Sequence, residues 1–246
     1  MPAVLVHGVP ETPAIWGPLK DRLNRDDVTT LMLPGFGCAR PEGFGSTKEE
    51  YVSWLVAELE KLRGEGPIDL VGHDWGGGLV VRVVSTRPDL VRSWVTDAAG
   101  LGDENFAWHD LAVVWQTVGA GEAFFERQLA LDVEQRAAAF EQFGVPREYV
   151  GVFTGLDSVM AGCILALYRS AVDVGREWGP EFQDIPAPGL VVVPSEDPYL
   201  AASAARIGAA RARAGVAELP GLGHWWMLQD APTGAAMLEE FWSSVG

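Results

Sequence analysis

Cysteine is almost missing from this 246-residue chain, which holds only Cys38 and Cys163. Two such distant residues form no disulfide framework, and both read as reduced thiols packed as small apolar groups. Positive charge is scarce as well: 18 lysines and arginines face 34 aspartates and glutamates, a net charge of −16. That balance repels phosphate backbones and anionic lipid, so neither nucleic acid nor membrane is an expected partner. Long apolar runs are absent, since no uninterrupted segment approaches the roughly 18 to 20 residues that cross a bilayer. The apolar opening lacks a basic leader and runs straight into His7-Gly8, so it reads as a strand and not as a signal segment. No internal repeat or low-complexity tract occurs. The expectation is a soluble, cytoplasmic protein, monomer or homodimer, with a small-molecule substrate.

What is present suits a single domain. With 48% hydrophobic residues, the chain can bury one sizeable core but is short for two domains and a linker. Short β-rich runs at residues 3–6, 29–33, 68–71, 94–96, 190–193 and 216–219 alternate with helical patterns at 14–23, 48–62, 77–86, 201–214 and 233–245. Within the second helix Tyr51, Leu55, Leu59 and Leu62 recur at three and four residues and make one face for a sheet. The alternation predicts an α/β fold with a mainly parallel central sheet flanked by helices.

Between about residues 101 and 185 the alternation stops, and helical stretches at 106–117, 124–140 and 157–173 follow one another. The expected organisation is therefore a core of residues 1–100 and 186–246 with a helical cap inserted at 101–185. Ligands bind beyond the carboxyl ends of strands in open α/β sheets, which is where such a cap would sit. Trp108, Trp115, Phe124, Phe125, Phe153, Tyr168 and Trp178 all fall in it. Each alone is ordinary core, but their density suits the lid of an apolar pocket.

The chemistry concentrates in Gly72-His73-Asp74-Trp75-Gly76-Gly77-Gly78, directly after an apolar run. Aspartate is a favoured helix N-cap, and capping alone would account for a strand-Gly-x-Asp-helix order. Gly72 and Gly76, however, flank Asp74 at the spacing of a tight strand-to-helix elbow that holds one side chain over the sheet. A carboxylate is already ionised near neutrality and suits displacement at saturated carbon, whereas serine suits acyl carbon. His7-Gly8-Val9-Pro10 follows the first strand, where an oxyanion loop belongs, so the N–H groups of Val9 and Trp75 are the expected hole. His224, on the glycine-rich loop Gly221-Leu222-Gly223 after the last strand, falls last in the order nucleophile, acid, histidine, and is the expected base. The acid should follow a late strand: Asp197 is preferred over Glu196, and Asp97 is a second possibility.

HGVP, LPGFG (residues 33–37), GHDWGG, SEDP and GHWW cover the core in an order that resembles α/β-hydrolases of the epoxide hydrolase and haloalkane dehalogenase branch. The match begins almost at the first strand, so the two edge strands that open many relatives are expected to be missing. Asp197 stands nearer than Glu196 to the position that this branch uses. In epoxide hydrolases the opened ring oxygen takes its proton from cap tyrosines, and Ala166-Leu167-Tyr168-Arg169 resembles the cap segment that ends in Tyr-Arg. A second tyrosine has no obvious place; Tyr149 is one candidate, and Trp108, His109 or Trp115 can stand at that position instead. Dehalogenases of the branch hold halide with the tryptophan after the nucleophile and an asparagine or cap tryptophan. Trp75 fits, but Val9 replaces the asparagine.

The resemblance thus implies an epoxide hydrolase that forms an ester on Asp74 and hydrolyses it with His224 and Asp197, without metal or organic cofactor. Trp108, Trp115, Trp178 and Trp225 are the expected pocket walls. A haloalkane dehalogenase with the same residues is the alternative, and a non-catalytic ligand-binding relative is a second one.

Overall fold

Six short strands lie side by side in the order β2-β1-β3-β4-β5-β6, all parallel, in a computed structural model that describes residues 2–64 and 66–245. They are β1 (Ala3–Val6), β2 (Val28–Leu31), β3 (Ile68–Gly72), β4 (Val91–Thr96), β5 (Gly189–Pro194) and β6 (Gly215–Leu219). Parallel neighbours require crossovers, and helices on both faces supply them. Along β1, Val4 and Val6 join the core on one face while Ala3 and Leu5 join the core on the other, as the two-residue period of a strand demands. The strand order reverses between β1 and β3. Loops leaving such a switch point diverge and open a crevice.

The helices are α1 (Gly17–Lys20), α2 (Lys48–Leu62), α3 (Trp75–Thr86), α4 (Asp110–Gln116), α5 (Ala120–Ala130), α6 (Val133–Gln142), α7 (Ser158–Ser170), α8 (Val174–Trp178), α9 (Ala202–Ala212), α10 (Trp226–Gln229) and α11 (Ala231–Ser244). α2 begins at a capping box in which Thr47 and Glu50 exchange hydrogen bonds, and it buries Tyr51, Leu55 and Leu59. α4 to α8 lie between β4 and β5, with α7 packed on α4, α5 and the core helix α2.

The helices at 106–117 and 157–173 shorten to α4 and α7, and three others differ from the sequence expectation for local reasons. The run at 14–23 divides into a 3-10 turn over Pro13–Trp16 and the single turn α1, because Pro13 and Pro18 donate no backbone hydrogen bond. The run at 124–140 breaks at Leu131, where Asp132 turns its carboxylate onto the N–H of Gln135 and starts α6 afresh. α3 begins at Trp75 and takes all three following glycines into its first turn. A Cβ at Gly76 would overlap the carbonyl oxygens of Val6 and His7, so only glycine lets α3 approach β1 this closely.

At the amino end of the sheet, fully buried Asp69 accepts from Arg92 Nε (2.8 Å), Arg92 Nη2 (2.8 Å), Ser93 Oγ (2.6 Å) and Arg25 Nη1 (3.0 Å). Burial alone would raise its pKa, but Arg92, Ser93 and Arg25 hold it below the usual carboxylate value. Removing one member of a buried charged group strands the others. Asp69→Ala is therefore expected to lower folding stability by about 3 kcal/mol in urea denaturation. Because Asp69 lies at the opposite end of the sheet from the crevice, turnover per folded molecule should stay unchanged.

Candidate active site

The elbow after β3 places Asp74 at φ 51°, ψ −122°, a left-handed backbone that non-glycine residues rarely adopt. Its carboxylate makes no capping bond to α3, which removes capping as the reason for an aspartate here. Oδ1 instead accepts the N–H of Val9 at 2.8 Å, across the switch point from the loop after β1. Gly8 makes this possible, since a Cβ there would overlap the Asp74 side chain. Trp75 is the first residue of α3, where backbone N–H groups have no carbonyl partner within the helix. The N–H groups expected to form an oxyanion hole thus lie at the two loops that meet on Asp74.

His224 comes from the loop after β6 and is 3% exposed. Its Nδ1 hydrogen-bonds Asp197 Oδ2 at 2.8 Å, and its Nε2 stands 3.9 Å from Asp74 Oδ2. Asp197 is locked in turn, because its Oδ1 accepts the N–H groups of Tyr199 (2.8 Å) and Leu200 (3.1 Å). Burial would lower the His224 pKa, but the Asp197 charge and hydrogen bond raise it above 6.5. Asp74 is pushed up to about 6, first by burial and then by the Glu11 charge, against the opposing pull of His224, His73 and the Val9 N–H. Glu196, the other carboxylate of the loop, is exposed.

Asp97 does not serve His224. Its Oδ2 meets His73 Nδ1 at 2.5 Å and accepts from Trp226 Nε1 at 3.0 Å, while its Oδ1 accepts the backbone N–H of Asp74 at 2.9 Å. The second nitrogen of His73 meets Glu11 Oε1 at 3.1 Å. Glu11 also accepts from Trp225 Nε1 at 2.6 Å and, through Oε2, from the Gly8 N–H at 2.9 Å. Both nitrogens of His73 therefore face carboxylates, and both must donate. Burial opposes the charge, yet Asp97 and Glu11 raise the His73 pKa well above 6.5. Glu11, His73 and His224 bring ligand atoms within 4.8 Å of one another, a spacing that an ion could share. Protons already occupy that set: each His73 nitrogen and each Glu11 oxygen is committed to a partner within the chain.

A cavity of about 300 Å³ opens over Asp74 and His224. Trp115, Phe124, Phe125, Phe140, Phe153 and Trp225 give its wall an aromatic character, and Tyr168, Tyr199 and His109 are among its polar residues. Tyr168, on α7, is 2% exposed and packs against Trp75, Trp108 and Trp115 at ring separations of 5.5, 5.1 and 4.8 Å. Burial and the Asp74 charge raise its pKa well above 10. The phenol is protonated at neutral pH.

Trp115 and Trp225 line the cavity, and Trp108 borders a small recess beside Asp74 and Trp75 with its Nε1 donated to the Ala171 carbonyl. Trp178 corrects the sequence expectation. It packs in α8 with Lys48 and Arg82 against its ring, away from the cavity, because α8 turns back onto the core. Tyr149 likewise packs beside the Ile15, Trp16 and Trp226 cluster and not in the cavity wall.

Sequence reading missed Tyr199, Glu11 and the bridging role of His73. Tyr199 lies edge-on to His224 at 4.9 Å, and burial, Asp197 and Asp74 all raise its pKa. Its place two residues after Asp197 was the available signal. Glu11 directly follows Pro10, but a loop glutamate reads as solvated until the fold buries it.

A family model described as "Alpha/beta hydrolase family" matches residues 3–236. The curated (E)-2-((N-methylformamido)methylene)succinate hydrolase of Acinetobacter baylyi (strain ATCC 33305 / BD413 / ADP1) is 24% identical over 198 residues, 80% of this chain and 73% of that protein. Among solved structures, epoxide hydrolase VrEH1 from Vigna radiata matches with a TM-score of 0.76 and 19% identity over 99% of this chain and 91% of that one. A loop variant of haloalkane dehalogenase DbeA-M1 from Bradyrhizobium elkanii matches with a TM-score of 0.64 and 20% identity over 99% and 90%. At such identities these structures speak for the fold alone. With strand order, elbow and family match in agreement, the chain belongs to the α/β-hydrolase family and is a hydrolase.

Proposed function

We propose that this hydrolase opens an apolar or aromatic epoxide to a vicinal diol through an alkyl ester on Asp74. One observation carries the reading: a buried, protonated phenol, Tyr168, lines the same cavity as the Asp74 carboxylate. Attack on an epoxide carbon needs a proton for the ring oxygen, and a phenol facing a carboxylate supplies that pairing. Tyr199, on the same cavity, is the second phenol able to hold the oxygen.

In the first step Asp74 Oδ2 attacks a ring carbon, the carbon–oxygen bond breaks, and Tyr168 donates its proton to the departing alkoxide. The product is a β-hydroxyalkyl ester on Asp74. His224, its Nδ1 held by Asp197, next removes a proton from water, whose oxygen attacks the ester carbonyl carbon. The carbonyl oxygen is Oδ1, already at the Val9 N–H, so negative charge develops where a donor waits; one such donor contributes about 3 to 4 kcal/mol. Collapse expels the product alkoxide, which takes the proton from His224 and leaves as the diol; the proton that the attacking water left on the Asp74 carboxyl passes to the Tyr168 phenolate, so that both groups return to their starting states.

The competing reading, hydrolysis of a haloalkane, draws on the indole N–H groups of Trp75 and Trp115, which are buried without an acceptor. Two indole donors can cradle halide. Displacement of halide needs no proton, however, so the buried phenol of Tyr168 on the same cavity would go unused there, and that phenol favours the epoxide. Bromoalkanes and styrene-oxide-like epoxides separate the two readings: halide release without diol formation would reject the epoxide.

In oxygen-18 water, a single turnover with excess protein is expected to place the label in the Asp74 carboxylate and release unlabelled diol, as read by mass spectrometry. Label appearing first in the diol would exclude the ester. His224→Gln should still alkylate and accumulate the ester, whereas Asp74→Asn should not react. Tyr168→Phe is expected to slow alkylation by about 10²- to 10⁴-fold.

The two half-reactions should also separate with pH. Asp74 must be ionised to attack, so alkylation fades as pH falls through about 6. His224 must be neutral to take a proton, and with its pKa above 6.5 hydrolysis fades at higher pH than alkylation does. Rapid-quench measurements between the two pKa values should find the ester accumulating; a shared pH profile would contradict the assignment.

A further inference from the structure

The cavity carries one cation that the reaction does not use. Arg136, from α6, lines it together with Gln128 from α5. The guanidinium has five N–H donors, and Nη1 donates to the Leu156 carbonyl at 2.9 Å, while Nε is buried with no acceptor. No carboxylate pairs with Arg136 among the described residues. The nearby acids are turned elsewhere: Asp132 caps α6 at Gln135, and Glu141 faces Arg147. The Gln128 side chain also makes no hydrogen bond among the described residues.

In a chain with net charge −16, an arginine left without a carboxylate beside an aromatic cavity is a cation reserved for something outside the chain. Guanidinium matches carboxylate in planar two-point geometry, and a buried donor without an acceptor costs stability until a ligand supplies one. We infer that the substrate carries a carboxylate remote from its reacting carbon, and that Arg136, aided by Gln128, binds that carboxylate and determines specificity for it. The inference rests on the proposed reading of Asp74 only for what the other end of the substrate undergoes.

Orientation follows from the charges. Among the described residues, Asp74 is the only carboxylate and Arg136 the only arginine or lysine of the cavity wall. A substrate anion is repelled by Asp74 and drawn to Arg136, which leaves the uncharged end of the molecule at Asp74 and His224. The aromatic rings of the same wall fit the apolar body.

Binding can be measured apart from turnover, with 4-ethylbenzoate and the isosteric 4-ethylbenzamide as probes and the fluorescence of Trp115 and Trp225 as the signal. The benzoate is expected to bind at least tenfold more tightly than the amide. Arg136→Gln should erase that difference while amide affinity stays within twofold, which also reports an intact cavity; Arg136→Lys should keep part of it. Equal affinities in the parent, or a benzoate preference that survives Arg136→Gln, would overturn the inference. Turnover of 4-carboxystyrene oxide against styrene oxide then tests the reaction separately. If the benzoate preference depends on Arg136 but neither epoxide forms an ester on Asp74, the carboxylate site stands and the epoxide reading falls.

Discussion

A histidine cation buried between two carboxylates ties the reactive end of this sheet together. His73 meets Asp97 on one side and Glu11 on the other, and each acid holds a backbone N–H: Asp97 that of Asp74, Glu11 that of Gly8. The elbow and the loop after β1 are thereby fastened through one imidazolium. Both loops bear on Asp74, whose strained φ of 51° persists only because its surroundings over-determine it. Trp225 and Trp226 bind the same two acids, so the loop that carries His224 is attached to the same device.

That arrangement has an electrostatic consequence. Burial is the main cost of ionising Asp74, and the charge of Glu11, held in place by His73, adds to it. Asp74 is consequently a more basic carboxylate than one in water, and Asp197 likewise makes His224 a stronger base. The reactive groups gain these properties from residues that never touch the cavity, or touch it only through others.

Much of the fold was legible from alternation. All six strands and the long core helices could be placed because burial on a sheet imposes a period of two or of three and four that side chains reveal. The elbow was legible because Gly72 and Gly76 must lack side chains where α3 meets β1, and the order of motifs pointed to His224 and Asp197. Other features were hidden for definite reasons. Trp178 resembles Trp115 in sequence, and only the turn of α8 back onto Lys48 and Arg82 separates a core ring from a cavity wall. Tyr199 sits beside a recognised acid, but its direction depends on the turn that Asp197 Oδ1 makes with its N–H.

By itself, then, the sequence determined the parallel α/β sheet, the aspartate elbow and the histidine and acid that follow later strands, because local periodicity, glycine sterics and chain order express these directly. Tertiary structure alone decided which acid serves which histidine. It assigned Asp197 to His224 and Asp97 to His73, left Arg136 without a carboxylate among the described residues, and brought Tyr168 and Asp74 to one cavity. Hydrogen bonding and charge act over a few ångströms in space, and in this chain the partners are 24, 27 and more residues apart in sequence.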